Sequence, residues 1–129
     1  MRLNPDCIRD ILLIVEKYAT YSNDVEQEIV FQELEDTYNH EEILYHIRQC
    51  EASGLFLKVQ YFFGGFSIVD LSPEGHQFVN DIRQDTNWNR TKEVAKVVRQ
   101  ATYIDIVSRF TAQVWGIVYQ SNALSKIML

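Results

Sequence analysis

The sequence predicts an α+β fold, mostly α, from three observations. Apolar residues recur at helical spacing in several segments, a Gly-Gly pair joins two strand-like segments, and a Ser-Pro pair starts a helix directly after the second of them. The predicted order is helix, short helix, helix, strand, turn, strand, helix. This is the order of a winged helix-turn-helix domain with a two-stranded β-hairpin wing, followed by extra C-terminal helices.

The first helix is predicted from its start signal, Asn-Pro-Asp at residues 4–6. Asparagine caps a helix, proline fits the first helical position, and aspartate favours the positive end of the helix dipole. Apolar spacing then places the helix at about 5–19. Residues 25–31 are consistent with a short strand or with an extended approach to a short helix at about 31–36.

The third helix is predicted at about 40–53, with Asn39 as its cap and Gly54 as its stop. Its buried stripe is expected to contain Ile43, Leu44, Ile47 and Cys50. In a DNA-binding winged helix, the outward face of this element enters the major groove. The residues predicted for that recognition-helix face are Glu42, Tyr45, His46 and Gln49.

The hairpin is predicted from strand-forming segments at 55–63 and 66–71, with Gly64 and Gly65 as the turn. We expect the rings of Tyr61 and Phe63 to pack against the helices. Because the turn carries no arginine or lysine, its aromatic tip favours contact with a protein over contact with phosphates. The residues predicted for the wing are Phe62, Gly64, Gly65 and Phe66.

Beyond the hairpin, Ser72-Pro73 predicts a helix start, and two further helices are predicted at about 89–100 and 103–120. We divide the chain into a winged-helix domain, 1–88, and a C-terminal helical extension, 89–129, which packs on that domain or forms a dimer interface. A predicted basic stripe consists of Lys92, Lys96 and Arg99. A broad apolar stripe favours homodimerisation through Ile106, Phe110, Val114 and Ile117.

The charge is unevenly distributed along the 129 residues, whose net charge is −6. Residues 21–51 contain nine acidic residues and one basic residue, which is a poor electrostatic match for a phosphate backbone. Cys7 and Cys50 lack the spacing of metal ligands, so we expect reduced thiols packed as small hydrophobic groups.

Several classes of protein are disfavoured by the absence of their motifs. The sequence shows no signal peptide, no membrane-spanning apolar segment, and no phosphate-loop, dinucleotide or zinc-protease motif. We therefore expect a cytoplasmic protein that is not an enzyme, needs no cofactor or metal, and does not bind a membrane.

A wider pattern of residues resembles a known family. Residues 71–75, Leu-Ser-Pro-Glu-Gly, look like the Leu-Thr-x-x-Gly segment common to many winged-helix proteins, and Ser72 keeps the capping oxygen of the commoner threonine. Together with further segments, the pattern is similar to the domain-of-unknown-function 2513 family of phages, prophages and other mobile elements. Those segments are Asn4–Leu12, Tyr45–Ile47, Glu51–Leu55, His76–Phe78, Ile82–Arg83 and Trp88. The resemblance covers about residues 3–93, implies a winged-helix fold and a phage or prophage origin, and transfers no catalytic residues.

Two functions are consistent with the sequence. The first is a phage- or prophage-type winged-helix protein that binds DNA and regulates transcription as a homodimer. The second is a non-catalytic protein-protein interaction module, a phage accessory factor that binds a host or phage protein through its acidic face and aromatic wing.

Overall fold

The computed structural model describes residues 1–84, 86, 88–90, 92 and 93. The chain separates after Val79 into two units, Met1–Val79 and Asn80–Leu129. The predicted boundary after residue 88 stays a prediction, and the helix predicted at 103–120 lies outside the described residues.

The described elements are four helices and three short strands. In order they are α1 (Pro5–Tyr18), β1 (Val25–Glu26), α2 (Gln27–Leu34), α3 (His40–Ala52), β2 (Val59–Phe62), β3 (Gly65–Ile68) and α4 (Pro73–Ile82). The strands form an antiparallel sheet in the order β1-β3-β2. The α+β, mostly helical class is confirmed. The predicted hairpin forms from β2 and β3, and β1 adds a third strand where the sequence left residues 25–31 open as a short strand or an extended segment.

Helix α1 begins as its start signal predicts. The Oδ1 atom of Asn4 accepts a hydrogen bond from the backbone N–H of Asp6 at 3.0 Å, and proline occupies the first turn. One face of α1 is buried, and this helix contacts both α2 and α3. The buried residues of that face are Cys7, Ile8, Ile11, Leu12, Ile14 and Val15.

The β2–β3 hairpin turns one residue earlier than the sequence predicts. Phe62 pairs with Gly65 across the strands, so the two-residue loop is Phe63-Gly64 and not Gly64-Gly65. Gly64 has a φ of 95°, a backbone conformation that favours glycine. This register places Phe63 at the tip and pairs Phe66 with Tyr61 on the core face.

The sheet contributes one apolar face to the core. Ile68 pairs with Val25 on one side and with Val59 on the other, and all three side chains are buried. Phe66 lies two residues from Ile68 on β3 and is buried on the same face. Helix α2 contacts both β1 and β3.

The residues that join α3 to α4 make a compact set of hydrogen bonds, here called the α3–α4 joint (Gly54, Leu55, Ser72 and Gly75). The hydroxyl of Ser72 donates to the carbonyl of Gly54 at 2.6 Å and accepts from the N–H of Gly75 at 3.0 Å. The N–H of Ser72 donates to the carbonyl of Leu55 at 3.0 Å. The joint therefore fixes the start of α4 against the end of α3, and Ser72 acts as the cap that the sequence predicts.

Both cysteines are free thiols and fully buried, as predicted. Burial raises the pKa of Cys7 from 9.0 to about 12, with smaller contributions from the nearby charges of Glu42 and Asp10. Burial, with a smaller effect of Cys7, also raises the pKa of Cys50. Both thiols are therefore protonated and unreactive at neutral pH.

The buried thiols predict a loss of stability in alkali. Above pH 9.0 the thiols of the unfolded chain ionise, whereas folded Cys7 stays protonated up to about pH 12. The free energy of unfolding should therefore fall through this window, by up to about 1.4 kcal/mol per pH unit for each buried thiol. Urea unfolding at a series of pH values would measure the slope, and Cys50→Ala should flatten it. Equal slopes for wild type and variant would contradict this prediction.

Candidate functional site

The exposed face of α3 is rotated by about one residue from the predicted recognition-helix face. Glu41, Leu44 and Arg48 are exposed, and Leu44 does not join the buried stripe as predicted. The predicted outward face is wrong for His46, which is buried, and the other three residues are half-buried: Glu42, Tyr45 and Gln49.

His46 is buried because both of its ring nitrogens have backbone partners. Its Nε2 atom accepts a hydrogen bond from the N–H of Asn4 at 2.8 Å, and its Nδ1 atom lies 2.6 Å from the carbonyl oxygen of Glu42. Since a carbonyl can only accept, these partners assign the proton to Nδ1 and make the ring neutral. His46 therefore fixes the start of α1 against α3 and is not available to a ligand.

The end of the hairpin carries exposed aromatic side chains. Tyr61 is 58% exposed, Phe62 is 54% exposed, and Phe63 at the tip is fully exposed. Phe63 does not pack against the helices as expected, because the turn begins one residue early and places it at the tip. Tyr61 is more than half exposed, although its hydroxyl reaches Glu51 of α3. Phe66 lies on the hairpin, but its ring is buried on the core face and is not exposed at the hairpin end.

A groove of about 370 Å³ lies between α2, α3 and the hairpin. Within it, the rings of Phe31 and His40 stack with centroids 4.0 Å apart, and Phe66 meets Phe31 edge-on at 5.9 Å. The Nε2 atom of Gln27 donates to the carbonyl of Gly64 at 2.7 Å and so ties α2 to the hairpin turn. We call this the hairpin groove, and its lining residues are Gln27, Phe31, His40, Leu44, Tyr61, Gly64, Gly65 and Phe66.

Two carboxylates contact residues that line the hairpin groove. The Oε2 atom of Glu35 lies 3.7 Å from the Nε2 atom of His40. The hydroxyl of Tyr61 donates to the Oε1 atom of Glu51 at 3.0 Å. Burial and this carboxylate raise the pKa of Tyr61, and the charge of Arg48 partly opposes the shift. The groove therefore joins an aromatic interior to negative charge on two of its walls.

Sequence reasoning missed Phe31, His40 and Gln27 as groove residues. The sequence predicted the short helix at about 31–36, whereas α2 spans Gln27–Leu34. Local sequence patterns could not predict that α2 lies beside the hairpin turn, because the contact joins Gln27 and Gly64, which are 37 residues apart in sequence.

The residues that carry the sequence resemblance lie mainly in α1, α3 and α4 and next to them. Residues 2–102 match the family described as "Hypothetical protein (DUF2513)". The chain belongs to this family. Comparison with curated proteins and with solved structures found no match to the DUF2513 protein.

Several residues that carry the resemblance make structural contacts in this DUF2513 protein. Asn4 caps α1, His46 binds the N–H of Asn4, and Ser72 and Gly75 form part of the α3–α4 joint. Residues that carry the resemblance therefore hold the scaffold together, and the groove residues Phe31 and Leu44 are not among them.

The basic stripe and the dimer helix of the DUF2513 protein are mostly outside the described residues. The Nζ atom of Lys92 lies over the indole ring of Trp88, 5.6 Å from its centroid. The residues that fall outside the described part are Lys96, Arg99, Ile106, Phe110, Val114 and Ile117. The basic stripe and the homodimer stay predictions.

Among the described residues, no group of three or more histidine, cysteine or acidic side chains is arranged to hold a metal ion. In the same part of the chain, no helix has the length and apolar character needed to cross a membrane.

Proposed function

We propose that this DUF2513 protein is a non-catalytic winged-helix protein that binds another protein through its hairpin and α3. The winged-helix assignment is supported by the order of the elements and by the strand order β1-β3-β2, in which the short strand before α2 pairs with the hairpin. In the phage or prophage setting that the resemblance implies, the partner is a host or phage protein.

The exposed aromatic end of the hairpin carries this proposal. Tyr61, Phe62 and Phe63 follow one another in sequence and are all more than half exposed. Leu44 of α3 is also exposed and lines the hairpin groove together with Tyr61. Contiguous exposed apolar surface marks interaction sites, and aromatic side chains are the commonest anchors of protein interfaces.

The charge of the first unit favours a protein partner over DNA. Residues 1–79 contain fourteen acidic residues and five basic residues. Glu41 is exposed in the first turn of α3, where a DNA-binding helix would meet phosphates and base edges. Such a surface repels a phosphate backbone, since binding to DNA depends on cations that replace its counterions.

The proposal predicts that capture of a partner depends on the hairpin aromatics. Protein immobilised as wild type, as Phe62→Ala/Phe63→Ala and as Tyr21→Ala would be incubated with host lysate, and captured proteins quantified by mass spectrometry. Tyr21 is a matched control because its ring is fully exposed outside the hairpin. We expect the double variant to lose about tenfold or more of a partner that the other two retain. Equal capture by all three proteins would contradict the proposal.

DNA binding is the second candidate, and two exposed cations favour it. Arg48 lies on the exposed face of α3, and Lys58 lies just before β2. If DNA is the partner, low-salt gel shifts with genomic fragments near the gene should show binding that Arg48→Ala/Lys58→Ala weakens. No shift at low salt would remove this candidate.

A further inference from the structure

We propose that the hairpin groove is a binding site for a basic peptide segment, in which an arginine or lysine side chain of the partner enters between the aromatic walls. This inference rests on the proposed function, because it names the chemistry of the partner that the hairpin and α3 would bind. It places the binding energy in the groove, whereas the proposed function requires only the exposed hairpin end.

The walls of the groove suit a cation carried on an apolar stem. Phe31 and Tyr61 contribute aromatic rings from α2 and β2, and Leu44 adds an aliphatic side chain from α3. A guanidinium or ammonium group is attracted to the face of an aromatic ring, and its methylene stem packs on apolar surface. The open volume of about 370 Å³ is large enough for one such side chain.

Carboxylates on separate walls supply the counter-charge. Glu35 lies beside His40 at 3.7 Å, and Glu51 accepts the hydrogen bond of Tyr61 at 3.0 Å. A cation in the groove would therefore meet an aromatic surface with negative charge on both the α2–α3 side and the hairpin side. Bidentate pairing with carboxylates makes arginine the better fit.

The surface around the groove is also acidic, which favours the same kind of partner. Glu28 and Glu41 are exposed on α2 and α3, which form the groove, and Glu26 is exposed directly before α2. Arg48 of α3 acts on Tyr61 and is the opposing positive charge at that wall. A nucleobase could also stack on these rings, but its phosphates would meet this acidic surface, so the charge favours a basic peptide.

The test measures binding of two synthetic probes to the full chain by fluorescence anisotropy. One labelled peptide alternates arginine with leucine, and the other alternates glutamate with leucine. We expect the arginine peptide to bind, with an affinity that falls as salt is added, and the glutamate peptide to show no binding.

Uncharged substitutions separate the groove from general attraction by an acidic protein. Tyr61→Ala and Phe31→Leu should each weaken arginine-peptide binding about threefold to tenfold, because each removes an aromatic wall. Phe63→Ala is the matched control, since Phe63 is exposed on the same hairpin but does not line the groove. Circular dichroism would confirm that each variant is folded, and Tyr61→Ala has the smaller effect on the core because its ring is mostly exposed.

Substitutions that change the charge near the groove should affect a basic partner and an acidic partner in opposite directions. Glu35→Gln and Glu51→Gln should weaken binding of the arginine peptide, because each removes a negative charge beside the groove. Arg48→Gln should strengthen this binding. Glu74→Gln, on α4, should leave it unchanged. If Arg48→Gln weakened binding, or if the glutamate peptide or an oligonucleotide bound instead, the partner would be acidic and the inference would be overturned.

These experiments can overturn the groove inference and the proposed function independently of each other. If Phe62→Ala/Phe63→Ala loses the lysate partner while Tyr61→Ala and Phe31→Leu retain it, the proposed function stands and the groove inference falls. If the groove variants abolish peptide binding but every variant captures the same lysate proteins, the proposed function falls. Concentration-dependent self-association that the groove variants abolish would identify a second copy as the occupant and overturn the partner assignment.

Discussion

Replacement of Gly75 by alanine is expected to cost the domain more than about 3 kcal/mol of its free energy of unfolding. An added Cβ atom would lie 2.1 Å from the backbone oxygen of Leu55 and 3.2 Å from the Cβ atom of Leu71. The oxygen cannot simply move aside, because it accepts the hydrogen bond of the Ser72 N–H. The variant must therefore break the α3–α4 joint or displace the start of α4.

Denaturant unfolding followed by circular dichroism would measure this loss, with Gly54→Ala as the matched control. Gly54 belongs to the same joint, but an added Cβ there meets nothing within 4 Å, and only its φ of 75° opposes the change. We expect the control to lose about 1–2 kcal/mol. A Gly75→Ala variant no less stable than Gly54→Ala would show that the close approach at the joint is not rigid.

The second large effect is expected for His46→Leu, at about 2–3 kcal/mol of destabilisation. Leucine fills similar space but cannot accept the hydrogen bond from the N–H of Asn4 or donate to the carbonyl of Glu42. Removing one partner of a buried hydrogen bond leaves the desolvation cost of the other. The loss should appear first where α1 begins.

Two measurements distinguish this role from a surface role for His46. Unfolding experiments should show a change within about 0.5 kcal/mol for His76→Leu, because His76 is exposed on α4. Hydrogen exchange should show faster exchange of the Asn4 amide in His46→Leu and no change in His76→Leu. Equal stability of the two variants would argue against a structural role for His46.

Local signals in the sequence predicted the helices well. The capping side chains of Asn4, Asn39 and Ser72 act on amides a few residues away, so the observed starts of α1, α3 and α4 agree with prediction. The buried state of the two cysteines was also predicted, for Cys50 from its place on the apolar stripe of α3 and for both from a spacing that does not suit metal ligands.

Features that depend on distant residues could not be predicted in the same way. The polar character of His46 suggested an exposed position, and only its contact with Asn4, 42 residues away, explains its burial. Phe63 is exposed because the turn uses Phe63-Gly64, which places its side chain at the tip and not in a strand. The sequence indicated aromatic residues around the hairpin turn, but it did not predict the groove, which needs α2 beside the hairpin.

The α3–α4 joint and the hairpin groove have no residue in common. Changes in Phe31, Leu44 or Tyr61 can therefore alter what the protein recognises without disturbing the contacts that hold α4 to α3. The groove therefore offers a place to re-engineer specificity at low cost to folding.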